Sequence, residues 1–208
     1  MFIAALVKML PATKNTMVDV EIGYYSRLFQ QVFQPSELRQ ENGSIVLFVG
    51  ASSTVDASLV VKEIGLELAQ YEEEKTAIVD VHRLQSIGKE ELEKWAKFCS
   101  AAGARVSCLK NEMEGVGGAI FNPRKKSFRC QDSLEECLGI LRKYFNNVLI
   151  DCYSVNNNSV WTLMAKLADG VVVVVSAGET SRSEIQRTER VVEMSQGKML
   201  GFILNKRT

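Results

Sequence analysis

Gly170-Val-Val-Val-Val-Val175 decides the fold. Consecutive β-branched side chains suit an extended, pleated backbone. The run has no polar alternation, so both faces of this strand meet protein, as in a parallel sheet covered by helices. Toward the C-terminus, Ser181–Ser195 reads as a helix and Met199–Leu204 as the last strand. Toward the N-terminus, Ser159–Leu167 reads as a short helix and Asn147-Val-Leu-Ile-Asp151 as another apolar strand.

The alternation continues back along the chain. Ser44-Ile-Val-Leu-Phe-Val49 is a buried-strand pattern, followed by a polar loop, Gly50–Asp56, and a helical stretch, Ala57–Glu72. Thr76–Asp80 and Arg105–Leu109 are strands, and Lys89–Ala102 and Ser133–Tyr144 helices. This order predicts right-handed βαβ units. The expected class is α/β, a mainly parallel β-sheet flanked by helices in three layers. Ligands in such sheets sit beyond the C-terminal ends of the strands. That rim comprises Gly50–Ser58, Asp80–Arg83, Asp151–Ser154 and Ser176–Thr180. Glu114–Gly118 and Asn122–Lys126 form the longest irregular segment, either a loop near a site or a surface connection.

Before the first strand, Ile22, Tyr25, Leu28, Phe29, Val32 and Phe33 recur at helical spacing, so Glu21–Phe33 reads as an amphipathic helix. Pro35 limits it, and Gln40–Gly43 is a turn. Residues 1–20 are expected to be an N-terminal arm and 21–208 one α/β domain. Met1–Leu10 is apolar but too short to span a bilayer, which takes about 20 residues. It reads as a loosely packed arm, or as a segment touching a partner or membrane surface.

The 208 residues suit one domain. The chain carries 25 basic and 25 acidic side chains, and a net charge of zero gives no reason to expect nucleic acid as partner. Five cysteines without CxxC spacing and a single histidine, His82, argue against a zinc site and for reduced thiols in the cytoplasm.

Leu167-Ala-Asp-Gly-Val-Val-Val-Val-Val-Ser-Ala-Gly-Glu-Thr-Ser-Arg182, with Leu200-Gly-Phe-Ile-Leu-Asn205, resembles the end of the bacterial tyrosine kinases of capsular and exopolysaccharide export. Those kinases belong to the MinD/ParA-like P-loop ATPases. The family reads roughly aDgvllVv…g.Ts, then GvvLN. The resemblance extends from Glu21 to Asn205 and implies a P-loop NTPase-like fold of the MinD/ParA type. It also implies a cytoplasmic protein held at the inner membrane through a partner. That partner would be a membrane polysaccharide chain-length regulator (copolymerase) or like subunits.

The family's phosphate loop reads SAxPGEGKST. Aligning Ala51 with the family alanine carries the nucleotide site onto Gly50, Ala51, Ser52, Ser53, Asp56, Ala57 and Ser58. Asp56 then stands at the second glycine, Ala57 at the lysine and Ser58 at the Mg²⁺-binding hydroxyl. A P-loop wraps phosphate in backbone N–H groups, glycines allow the close approach, and lysine offsets the β/γ charge. This loop has no glycine after Gly50, no lysine, and a carboxylate. One wrong-sign charge at roughly 4 Å and an effective dielectric near 20 is worth about 4 kcal/mol, or about three powers of ten in affinity. A plain strand-to-helix turn capped by Asp56 or Ser58 accounts for the loop without a ligand.

The family's DxDxR signature falls on Asp80-Val-His-Arg83, which keeps the first aspartate and places the arginine one residue early. Its DxxP signature falls on Asp151-Cys-Tyr-Ser154, which keeps the aspartate and loses the proline. Asp80 and Asp151 are thus remnant metal carboxylates, or caps of helices and turns. Asn205 matches the asparagine that contacts the base. His82 and Cys152 lie on the rim without an identified catalytic partner. The family's ExxRxxR assembly motif falls on Glu21, Tyr24 and Arg27 without its middle arginine; the apolar stripe there either assembles subunits or docks on its own sheet. The family's C-terminal tyrosine cluster has no counterpart in Lys206-Arg-Thr208.

The resemblance, with these departures, implies a catalytically degenerate kinase or ATPase-like protein that regulates or scaffolds exopolysaccharide or capsule biosynthesis and export, and no cofactor is assigned to it. A second reading is an active kinase or ATPase using MgATP or MgADP with a substitute cation from Lys62, Arg83, Lys125, Lys126 or Arg182. A third is a MinD-like positioning factor.

Overall fold

The computed structural model describes residues 43–55, 57–71, 75–109, 131–154 and 160–205. The strands are β1 (Ser44–Gly50), β2 (Thr76–Asp80), β3 (Val106–Leu109), β4 (Asn147–Ser154), β5 (Gly170–Ser176) and β6 (Met199–Asn205). The helices are α1 (Ala57–Tyr71), α2 (Val81–Ser86), α3 (Lys89–Ala101), α4 (Gln131–Tyr144), α5 (Val160–Leu167) and α6 (Arg182–Met194). The strands form one six-stranded sheet in the order β3-β2-β4-β1-β5-β6. Each pairing between them is parallel. The three-layer α/β expectation is met.

The pleat sorts the apolar runs onto two faces. Ile45, Leu47 and Val49 of β1 join a core with Leu84 of α2, Trp95 of α3, Leu138 of α4, Trp161 of α5 and Val192 of α6. Val46 and Phe48, one residue out of phase, join Val60, Val61, Ile64 and Leu68 of α1 on the other face. Both faces of β1 are thus dry, which explains its unbroken apolar sequence.

One polar hub ties the lower, N-terminal ends of the strands. Arg142 of α4 forms a forked ion pair with Asp169, Nη1 to Oδ2 at 2.7 Å and Nη2 to Oδ1 at 3.1 Å. The same guanidinium donates to the carbonyls of Gly43 (2.7 Å) and Leu167 (3.2 Å). Asp169 Oδ2 also accepts the Ile45 amide at 2.6 Å, and the Asp169 amide donates back to the Ile45 carbonyl at 2.9 Å. Asp169, part of the sequence resemblance, therefore holds β1 against the α5–β5 connection.

Three sequence expectations change. Asp80–Arg83, expected as a rim loop, is the start of α2, because Asp80 caps that helix with its carboxylate. Strand β4 runs on to Ser154 instead of stopping at Asp151. The helix expected from Lys89 to Ala102 and that from Ser181 to Ser195 begin or end at capping residues. The expected arm, the helix over Glu21–Phe33, the assembly motif, Asp56 and the segment Glu114–Lys126 lie outside the described residues. No helix among the described residues is long and apolar enough to cross a membrane.

Candidate functional site

The rim begins where β1 ends. Gly50 is needed there: a Cβ would stand 2.8 Å from the Val55 carbonyl oxygen and 3.0 Å from that of Tyr153, both backbone atoms. The Ala51 amide then donates to Val174 at 2.9 Å, prolonging the sheet. The next residues close on themselves. The Val55 amide donates to the Ser52 carbonyl at 3.2 Å, and the Ser52 and Thr54 hydroxyls lie 3.0 Å apart. Ser53 and Thr54 are exposed, whereas Ser52 is buried. Val55 and Ala57 turn inward and join the α1-side core with Val46 and Phe48. Ala57, which the expected register sets at the lysine position of the resembled kinases, is 1% exposed. Ser58 is half-buried in the first turn of α1.

The second part of the rim is a carboxylate cluster. Asp80 and Asp151 face each other in register across β2 and β4, 5% and 2% exposed. Asp80 Oδ1 accepts the amides of His82 (2.7 Å) and Arg83 (3.1 Å), two of the four N–H groups that a helix start leaves unpaired. Asp80 Oδ2 accepts the Tyr153 hydroxyl at 2.5 Å. Asp151 Oδ1 accepts the Tyr153 amide at 3.1 Å. Tyr153 has a φ of 56°, a left-handed conformation uncommon outside glycine. Its ring stacks at a tilt against His82, centroids 5.0 Å apart. Among the described residues, no three His, Cys, Asp or Glu side chains are grouped to hold a metal ion.

The other sequence candidates scatter. Arg83 is buried, and desolvation lowers its pKa while Glu91 and Asp80 raise it. Lys62 is half-buried on α1, Arg182 is exposed at the start of α6, and Lys125 and Lys126 lie outside the described residues. Cys152 is fully buried behind the aspartates. Desolvation first, then the charges of Asp151 and Asp80, push its thiol well above the ordinary range. That is the opposite of what a nucleophilic cysteine needs. Asn205 is buried in register with Ser176, and its carbonyl accepts the Ala177 amide at 2.9 Å. Ser176 is itself held by Thr180 and Glu179. Ser154 Oγ, in register with Gly50, is buried without a hydrogen-bond partner.

Sequence reasoning missed Tyr153. Its only linear signal was an aromatic residue two places beyond a strand-end aspartate. Its positive φ and its reach to Asp80 are properties of the fold.

The buried thiols provide a test on the alkaline side. Burial raises Cys137, beside Glu136, to about 11. A thiol raised by folding stabilises the native state fully below its unfolded pKa of about 8.5. That contribution is lost as pH rises through the folded value. Denaturation midpoints are expected to fall between pH 8.5 and 11, and less steeply in Cys137→Ala. Equal slopes in the two proteins would count against this account.

No protein-family model and no curated protein sequence matches the chain. Solved structures do. The VpsO kinase domain superposes with a TM-score of 0.60 at 16% identity, covering 88% of this chain and 93% of that one. The kinase domain of the Escherichia coli tyrosine kinase ETK gives 0.60 at 12% identity, covering 93% and 82%. A ParA family ATPase from Chlorobium tepidum gives 0.51 at 10% identity, covering 79% and 73%. With the parallel order β3-β2-β4-β1-β5-β6, this likeness establishes that the chain has the α/β fold of ParA-type ATPases and bacterial tyrosine kinase domains.

Proposed function

We propose that this protein is a catalytically degenerate relative of the bacterial tyrosine kinases, acting as a regulatory or scaffolding component of exopolysaccharide or capsule production. It works by docking on a protein partner, a membrane chain-length regulator or like subunits, in the cytoplasm at the inner membrane. The observation that carries the reading is Ala57, the lysine position, sealed at 1% exposure in the α1-side core. A P-loop needs a cation at that point and free backbone N–H groups around it. Here the Val55 amide is engaged by Ser52 within the loop.

The residues do not fit MgATP. Asp56 adds a negative charge to the phosphate loop, and both Asp80 oxygens already accept hydrogen bonds from His82, Arg83 and Tyr153. Isothermal titration with MgATP and with MgADP is expected to show no binding at nucleotide concentrations up to about 1 mM, equivalent to about −4 kcal/mol. Micromolar affinity would overturn the reading. Capture of partners from a producing cell is expected to return envelope-polysaccharide proteins. A partner set without them would remove the process from the proposal.

Ser154 favours a second reading. Its buried hydroxyl without a partner sits beside Gly50, which suits a rim that holds some ligand. The same titration separates the two.

A further inference from the structure

Strand β4 is irregular at its C-terminal end. Phe48 pairs with Asp151, but Gly50, two places on, pairs with Ser154, three places on. One residue of β4 is therefore extra, a bulge. Consecutive residues of a regular strand face opposite sides of the sheet. Here Cys152 and Tyr153 both pack on the core that includes Leu84 of α2. The bulge turns the Tyr153 ring to the α2 side, where it meets His82 and its hydroxyl reaches Asp80. That turn is made with a φ of 56° at Tyr153, which a bulky side chain rarely adopts. Gln196, the other non-glycine residue with positive φ among the described residues, follows the C-cap of α6, where helices commonly end on a left-handed residue. Tyr153 lies within a strand, so its conformation needs another cause.

We propose that Tyr153 is a conformational latch: its hydroxyl bond to Asp80 holds β4 in the bulged register, and that register seats the loop after β1. The link to the loop is made by backbone. The Tyr153 carbonyl oxygen lies 3.0 Å from the point where a Cβ of Gly50 would stand, and the Val55 carbonyl oxygen 2.8 Å from the same point. The bulge, Gly50 and the end of the loop therefore interlock. A regular register continuing from Phe48 and Asp151 would set Gly50 opposite Tyr153 instead of Ser154. The loop itself is tied by the Ala51 amide to Val174 and by the Val55 amide to Ser52. A hydrogen bond to a carboxylate and the strain of one left-handed residue are of similar size. One hydroxyl can thus tip the balance between the two registers.

This goes beyond the proposed function and does not depend on it, because the latch acts on the rim whether or not the rim binds a ligand. Strand β4 lies between β2 and β1 in the sheet, so its end is placed to couple the Asp80 cap of α2 to the loop that follows β1.

Amide hydrogen exchange in the full chain tests it. Tyr153→Phe removes only the hydroxyl. Its Ala51 and Val55 amides are expected to exchange about fivefold faster than in wild type, the usual effect of one lost hydrogen bond. The Val171 amide, bonded to Lys198 at the other end of β5, is expected to be unchanged. Tyr153→Gly also lacks the hydroxyl but takes up a left-handed backbone without strain. It therefore keeps the bulge and is expected to protect Ala51 and Val55 better than Tyr153→Phe does. Unchanged exchange at Ala51 and Val55 in Tyr153→Phe would overturn the proposal. An equal rise at Val171, the mark of general loosening, would overturn it too, and so would Tyr153→Gly exchanging as fast as Tyr153→Phe at both loop amides. Should Tyr153→Gly fail to fold, Tyr153→Asn, also tolerant of that backbone, takes its place in the comparison.

Discussion

Replacing Asp169 with alanine is expected to cost about 3–5 kcal/mol of folding stability, the usual penalty for stranding one partner of a buried ion pair. The carboxylate is 7% exposed and the Arg142 side chain 16%, so solvent screens the pair little. Removal leaves the Arg142 guanidinium without its fork and the Ile45 amide without its 2.6 Å acceptor. Both groups lie where β1, α4 and the entry to β5 converge, so the loss reaches β1 and β5 at once. A typical domain has only about 5–15 kcal/mol in total. Urea denaturation at neutral pH measures the effect. Asp169→Asn retains an acceptor for Ile45 and should fall between wild type and alanine. A loss below about 1 kcal/mol in Asp169→Ala would show that the hub is an ordinary surface pair.

Placing a lysine at Ala57 is expected to harm the protein rather than arm it. Ala57→Lys adds four heavy side-chain atoms at a position 1% exposed, among Val46, Phe48, Val55 and Val60. Overpacking a tight core costs about 1–3 kcal/mol. Burying the ammonium adds a desolvation penalty unless the side chain bends out to water. The expected total is about 2–5 kcal/mol, read from the shift in urea midpoint, with no gain of MgATP affinity by calorimetry. The outcome that sinks this account is a variant as stable as wild type that binds MgATP at micromolar concentration. In that case the loop would be one substitution from a phosphate site.

Much of the fold was legible because buried parallel strands announce themselves. Val171 to Val175 have nowhere to go but a two-sided interior, and Ile45 to Val49 the same. Helix boundaries were legible where a cap is local in sequence. Ser181 and Glu184, three residues apart, form a capping box that opens α6. Asp80 was legible as a possible cap, and it does cap α2. Its bond from Tyr153, seventy-three residues away, had no local signal. Ala57 follows the same logic. The resemblance only suggested the lysine position for it, whereas its place in the core with Phe48 and Val46 is a property of the packing.

The amino-acid sequence by itself determined the α/β class, the strand order along the chain, and that residues 51–58 carry neither glycine nor lysine. These rest on side-chain type and short-range periodicity, which the chain carries locally. Only the tertiary structure decided that Asp80 and Asp151 stand side by side, that Tyr153 closes over Asp80, and that Arg142 binds Asp169. Those contacts join residues far apart in the chain, and a parallel crossover brings them together without leaving a local mark in the sequence.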